Sequence, residues 1–552
     1  RVELRQLFED LNVGLQGASA DPEITKVKSF IKDEPYSTWK FPRWINSRSD
    51  KWKVLFGPYV KVMEDVVYSH PVFIKHTPVR DRPDVILRDV FREGWFVYAG
   101  DWTSMESHHN PWVNCVIINV VYGWLFQNFM AEPKFLETIY KVLGVRDYQL
   151  ASKFVTAMLH SILCSGEMDT SLRNALLNYF VTLFVYACAN NEEVNFALTR
   201  WYNYCGEYRR NHPVPDQWWN THWHTLPYDP PDYELCFGRG FRWERFWADK
   251  HLTVPDNFPA KVEGDDSLFS SPVQIKSHFF ELMGFNIKLI EHKEISTASF
   301  CGNIFDVEEK IIVTDPRETL VNFGWTKKQD VNASQKRLDL LLRSKGYSLL
   351  YSYDGCPILT AFASYVLRVT RRAESGLEKF IKSDRTMSLW ERDWLLEAIK
   401  YRGAGAKPGP RTRALIQDLY DISVKEQLDL EAYFNSLDKV QPILHRIIAN
   451  WEDNFPVWAQ YFDQWREEAI VYRKRKSPYA AFSKMVLVHD EGDSSVTLFG
   501  KTPGPLYIKR STMGPNGVMV PAREPVYVDP RDEFDPMADD EDPGVPDLFA
   551  QI

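Results

Sequence analysis

The stretch KVEGDDSLFS, Lys261 to Ser270, sets two aspartates side by side between strand-forming residues. In a flat strand Asp265 and Asp266 would point to opposite faces, so they can share a task only at a turn. Gly264 supplies the backbone freedom of such a turn, with Val262 before it and Leu268 and Phe269 after it as strand material. The stretch therefore predicts an antiparallel hairpin with two carboxylates at its tip. Adjacent carboxylates are hard oxygen donors suited to Mg2+ or Mn2+, and a third from another strand lets the set hold two ions for phosphoryl transfer. Asp101, directly after the apolar run WFVYAG, is the candidate for that third ligand.

A Gly-Asp-Asp triplet arises by chance in roughly one chain in seven of this length, so alone it decides little. A second motif changes the weighing. SGEMDTSLRN places Ser165, Gly166, Thr170 and Asn174 in the pattern S-G-x3-T-x3-N. That pattern is expected by chance in on the order of one chain in a hundred.

With Asp101 upstream in the same order, the chain resembles the RNA-dependent RNA polymerases of positive-strand RNA viruses, most of all the tombusvirus-like and flavivirus-like branches. The resemblance runs from Lys32 to about Asp306. It implies an α+β right-hand polymerase with fingers, a palm built on an antiparallel sheet, and a helical thumb. It also implies that Asp101 and Asp265 bind both catalytic Mg2+ or Mn2+ ions with Asp266 supporting, and that Asn174, Thr170 and the acid at position 106 sense the ribose 2′-hydroxyl. A hydroxyl is recognised by a paired donor and acceptor, which an amide and a carboxylate supply. Glu106 is a departure, because the family has Asp there; the longer side chain keeps the acceptor and alters its reach.

Upstream, FIKDEPYSTWKFPRWINSR looks like the family's nucleotide-channel motif, matched by Lys32, Glu34, Lys40, Arg43 and Ile45 with Arg48 as a further base. Cationic clamps on triphosphate oxygens would stabilise both binding and the leaving group. Downstream, Lys293 lies where the family often keeps a lysine that protonates pyrophosphate, with Lys288 as its competitor. Phe300 and Cys301 resemble the primer-grip turn.

The resemblance divides the chain into fingers (1–98), palm (99–190 and 259–310) split by a Trp- and Pro-rich insertion (191–258), a helical thumb (311–485), and a flexible acidic tail (486–552). The insertion, with six tryptophans, reads as irregular structure. Two uncharged stretches, from His109 and from Asn174, read as buried helices rather than membrane spans. Ser388 with Glu391 forms a capping-box pattern at a helix start, and Tyr401 to Arg413 reads as an exposed basic loop. Cys205, His222, His224 and Cys236 have spacings that fit no standard zinc pattern. Arg473 to Lys476 is a basic run that the sequence leaves unassigned.

At 552 residues and 44% hydrophobic content the chain can bury a large core, which excludes wholesale disorder. Seven scattered cysteines without CxxC pairs fit a reducing compartment. The net charge of −9 is concentrated between Asp529 and Asp547, which leaves the other 533 residues at −1 and compatible with binding phosphate backbones. No targeting peptide is visible at RVELRQLFED, and the short approach to the channel motif suggests a piece of a larger replication protein.

The expected partners are RNA template and product, NTPs and other viral replication proteins. Any membrane association would come through partners or missing segments, in a replication complex of the host cytoplasm. Two rivals stay open: a reverse transcriptase or DNA polymerase, and a catalytically inactive RNA-binding scaffold of the same fold.

Overall fold

The computed structural model describes residues 27–32, 43–127, 139, 142–143, 147–151, 156–160, 163–211, 233–323, 330, 333–403, 406–441, 443 and 445–449, with four three-residue strands between 506 and 528. The fold is α+β, and the chain divides into two compact units at Val313/Thr314.

The first unit opens with β1 (Val27–Ile31) and β2 (Trp44–Arg48), an antiparallel pair. Helix α1 (Asp50–Val67) follows, capped by Ser49, whose Oγ accepts from the Trp52 amide; its buried stripe is Trp52, Leu55, Phe56, Val60 and Met63. After α2 (Arg82–Asp89) come β3 (Phe96–Trp102) and α3 (Pro111–Phe126), with a π-helical middle over Ile117–Tyr122. Strands β4 (Asp147–Ala151) and β5 (Thr156–His160) complete a sheet of order β2-β1-β4-β5, in which β1 and β4 are parallel.

Helices α4 (Thr170–Ala189) and α5 (Glu192–Asn211) lead to the hairpin β6 (Ala260–Glu263) and β7 (Asp266–Ser271). Beyond α6 (His278–Leu282) and β8 (Ile287–His292) lie the short strands β9 (Ser299–Phe300), β10 (Asn303–Asp306) and β11 (Ile311–Val313). The central sheet has the order β6-β7-β3-β8 and is antiparallel throughout. Strand alternation puts Tyr98, Trp102, Val262 and Phe269 on one face, where they join the apolar residues of α1, α3 and α4 in a single core. Asp101 and Asp266 fall on the other face.

Of the two uncharged stretches, α4 is long and apolar enough to cross a membrane, yet it is mostly buried and serves as a core helix. Helix α3 departs from the expectation of full burial. It buries Ile118, Tyr122, Leu125 and Phe126, but its other side leaves Trp112, Val120 and Trp124 exposed. The insertion is regular only in part: α5 and short helices over Tyr233–Phe237 and Trp243–Ala248 are formed, residues 238–242 and 249–258 are irregular as expected, and 212–232 lie outside the described residues. There Trp201 stacks on Phe237, and Phe237, Phe241 and Phe246 meet Trp243 edge to face, so aromatic packing supplies the order that Pro and Gly spacing conceals. His222 and His224 lie outside the described residues.

The second unit is helical between Gln335 and Ser436: α7 (Gln335–Tyr353), α8 (Leu359–Val369), α9 (Glu374–Ser383), α10 (Leu389–Tyr401), α11 (Pro410–Tyr420) and α12 (Val424–Ser436). The Ser388–Glu391 capping box is formed, and Ser423 with Glu426 repeats it. The basic stretch Tyr401–Arg413 is helical at both ends, with Tyr401 closing α10. Pro410 starts α11, and Arg413 is held by Glu431 through two hydrogen bonds of 3.0 and 2.8 Å. The basic run at Arg473–Lys476 and most of the acidic tail lie outside the described residues.

Candidate active site

The hairpin joining β6 and β7 is as tight as the sequence predicts. Glu263 and Asp266 pair across it, leaving only Gly264 and Asp265 in the turn. Gly264 takes φ +60°, while Asp265 stays out of the left-handed region, the combination that a two-residue turn with glycine first requires. A buried side chain on α4 holds this turn in place. Asn178 donates from Nδ2 to the main-chain oxygens of Gly264 at 3.2 Å and Asp266 at 3.1 Å, and its own Oδ1 accepts from Thr182 at 3.2 Å.

Register then brings the acids together. Asp101 on β3 pairs directly with Asp266 on β7, and on its other side with Lys288 on β8. Directly opposed residues share a face, so Glu263, Asp266, Asp101 and Lys288 form one row across the four strands. Sequence reasoning missed Glu263. The signal was there, since in a two-residue hairpin the residue before Gly264 must pair with the residue after Asp265.

The row is electrostatically uncomfortable. The Asp266 carboxyl is pushed up to about 6, first by partial burial and then by the charges of Asp265 and Asp101. Asp265 is raised in the same way: desolvation of its carboxyl leads, Asp101 adds to it, and the positive charge of Arg43 opposes. An all-carboxylate donor set under mutual repulsion has the chemistry that a hard divalent cation satisfies. As placed, however, no three acidic, His or Cys side chains among the described residues converge closely enough to enclose an ion.

The second motif is built as a loop docked onto β2. Ser165 Oγ accepts from the Asn46 amide at 3.1 Å and donates to the Trp44 carbonyl at 3.2 Å. Gly166 lies against the same strand so closely that a Cβ would sit 2.9 Å from both Asn46 O and Ser47 Cα. Thr170 Oγ1 bonds to the carbonyls of Cys164 (2.8 Å) and Glu167 (3.0 Å) and closes the loop at the start of α4. In the structure Ser165, Gly166 and Thr170 shape this loop. The other residues expected to sense the ribose are Asn174 and Glu106. Glu106 reaches the loop through its main chain, whose carbonyl accepts from the Leu163 amide at 3.1 Å.

The channel motif is divided in the same way. Arg43 is exposed and close enough to Asp265 to stabilise its charge. Lys32 continues the β1–β2 ladder by donating its amide to the Arg43 carbonyl at 2.8 Å. Glu34 and Lys40 lie outside the described residues. Arg48 is a correction. It is 2% exposed, pairs with Glu167 at 2.6 Å and donates to the Val142 carbonyl at 2.8 Å, so its guanidinium belongs to the scaffold and not to a triphosphate.

Lys293 stands farther from the carboxylates than Lys288. It follows His292, whose partner on β3 is Val97, four residues or roughly 13 Å along the strand from Asp101. Lys288, paired with Asp101 itself, is the exposed lysine beside the carboxylates. Phe300 is 1% exposed and packs in the interior, so its ring offers nothing to a primer. Cys301 sits at the β9–β10 turn with φ +53°, and its Sγ donates to Glu263 Oε2 at 3.6 Å, at the edge of the acidic row. Glu263 is also within 3.4 Å of Arg82.

No known protein-family profile matches the chain, and no curated protein matches it in sequence. Among solved structures, the chain is similar to an insertion-loop deletion mutant of the RNA-dependent RNA polymerase of a human picobirnavirus, at 11% identity and a TM-score of 0.42. The superposition covers 68% of this chain and 64% of that one, so the chain spans less than two thirds of the length of its structural neighbour.

Proposed function

We propose that this chain is a viral RNA-directed RNA polymerase, copying an RNA template by two-metal-ion nucleotidyl transfer in genome replication and transcription. The observation that carries the reading is the register of Asp101 with Asp266, beside a two-residue turn bearing Asp265. Three carboxylates from two strands meet at one end of an antiparallel sheet, next to the exposed Arg43 and Lys288.

In this reading Asp101, Asp265 and Asp266 hold two Mg2+ or Mn2+ ions. When bound, the ions activate the primer 3′-hydroxyl and neutralise the departing pyrophosphate. Arg43 stabilises charge on the triphosphate. The 3′-hydroxyl would give up its proton to water as its oxygen bonds to the α-phosphorus and the bond to pyrophosphate breaks, and Lys288 would donate a proton to that leaving group. Asn174 and Glu106 read the ribose 2′-hydroxyl, which favours NTPs over dNTPs and argues against a DNA polymerase. The finer placement is with the tombusvirus-like and flavivirus-like branches, with fingers, two palm segments and a helical thumb as the parts of the chain. RNA and NTPs are the partners, joined by other replication proteins at host cytoplasmic membranes.

The test is template-directed incorporation of labelled NTPs on a short RNA with Mg2+ or Mn2+, with and without primer, against the Asp265→Ala, Asp266→Ala double variant. Incorporation by the wild type and its loss in the variant is the expected result. Preference for dNTPs, or equal signal from both proteins, would overturn the reading.

A further inference from the structure

One buried group in the first unit is used by nothing described so far. His109, at the start of α3, is fully buried, and its Nε2 lies 2.9 Å from Oδ1 of Asn174. Its other ring nitrogen, Nδ1, is buried with no hydrogen-bond partner of good geometry; the neighbouring Asn114 amide, although close enough to favour the protonated ring, is engaged by Arg173 and by the His109 carbonyl. The ring is held from behind: Asn114 Nδ2 donates to the His109 carbonyl at 2.9 Å, and Asn114 Oδ1 accepts from Arg173 at 3.3 Å. Arg173 is in turn paired with the buried Asp169. Burial, reinforced by the charge of Arg173, pushes the imidazole down to about 3, so the ring is neutral and carries a single N–H.

A neutral ring offers two arrangements. With the proton on Nε2, His109 donates to Asn174 and a bare lone pair is left at Nδ1. With the proton on Nδ1, a buried N–H is stranded, and Asn174 must turn its amide over to donate to Nε2. Orphaned N–H groups are rarer in protein interiors than under-satisfied acceptors, so the first arrangement is preferred. Asn174 then accepts through Oδ1, and Nδ2 is the end of the amide turned away from the ring.

We propose that His109 is a positioning residue that sets the polarity of Asn174, locking the amide so that it presents a donor to the incoming nucleotide. Resting on the polymerase reading, this assigns the two halves of 2′-hydroxyl recognition: Asn174 Nδ2 donates to the 2′-oxygen, and the Glu106 carboxylate accepts the 2′-proton. Without His109 the amide rotates freely between donor and acceptor, and discrimination against dNTPs falls, while the chemistry at the carboxylates is untouched.

The experiment compares kcat/KM for NTP and dNTP in wild type, His109→Leu, Asn174→Ala and the double variant. The expected result is a fall in the NTP:dNTP preference of about tenfold to a hundredfold in His109→Leu, with dNTP incorporation unchanged. The double variant should fall no further than Asn174→Ala alone. An unchanged preference in His109→Leu, or additive losses, overturns the proposal while leaving the polymerase reading intact.

A second measurement needs no activity and reads the wild-type ring itself, a variant serving only to assign its signal. Nitrogen-15 spectra of labelled histidines, with the His109 signal assigned by its loss in His109→Gln, should show a protonated Nε2 and a bare Nδ1 at neutral pH. A protonated Nδ1 overturns the proposal. Absence of all incorporation by the wild type counts against the polymerase reading, and the tautomer still decides the polarity.

Discussion

Two clusters of charge in the first unit make opposite use of the same residue types. Beneath the second motif, Arg48 and Glu167 are paired at 2.6 Å with side chains 1% exposed, and Trp52 Nε1 donates to the other Glu167 oxygen at 2.8 Å. Beside it Arg173 meets Asp169 at 3.0 Å, and Tyr122 donates to the same carboxylate at 2.8 Å. Every carboxylate there faces a cation and a neutral donor. At the sheet end, Asp101, Asp265 and Asp266 face one another, and the cations nearest them are exposed. The first cluster is complete in the folded chain and serves as scaffold. The second keeps its carboxylates in mutual repulsion in the folded chain, which is why the proposed metal ions are assigned to it.

The largest effects should separate the two. Asp265→Asn with Asp266→Asn is expected to cut nucleotide incorporation by about a thousandfold or more while leaving the fold intact, read by single-turnover kinetics beside a melting curve. Glu167→Ala should do the reverse. It strands the buried Arg48 and is expected to cost about 3–5 kcal/mol of stability in denaturant unfolding. If Glu167→Ala melts like the wild type, the scaffold half of the comparison fails.

The lysine comparison is sharper and smaller. Lys288→Ala should slow the chemical step by about tenfold to a hundredfold with little change in nucleotide affinity, whereas Lys293→Ala should match the wild type. Reversed outcomes would return the proton-donor role to Lys293.

The smallest effect concerns pH. The folded-state pKa of Asp266, about 6, lies above the ordinary carboxylate value, so the folded protein binds this proton more tightly than the unfolded chain. The stabilisation is fully present below the unfolded pKa, near 4, and is lost as pH rises through about 6. Asp266→Asn should therefore raise the Tm of metal-free protein by a few degrees at pH 7 and make no difference near pH 4. A gain that persists at pH 4 would point to packing and not to charge.

Much of the active-site region was legible because its geometry is local. A Gly-Asp-Asp between strand residues has one compact solution, and the two-residue turn follows from glycine preceding the aspartates. The capping boxes at Ser388 and Ser423 are equally local, since each needs only a side chain and the amide three residues on. The helices inside the insertion were not legible because their order comes from Trp201 and Trp243 meeting across a long gap in sequence, which local Pro and Gly signals do not register.

The sequence by itself determined the hairpin, the acids at its tip and the candidate motifs, because adjacency along the chain fixes them. Only the tertiary structure decided which motif residues can face a ligand. Arg43 and Arg48 are five positions apart, yet one is exposed near Asp265 and the other is buried on Glu167. Lys288 and Lys293 are also five apart on one segment, and only the pairing of β8 with β3 puts the first beside Asp101. The physical reason is that a charge acquires its role from what lies across from it, and partners more than a hundred residues away, such as Glu167 for Arg48, are set by packing and not by spacing.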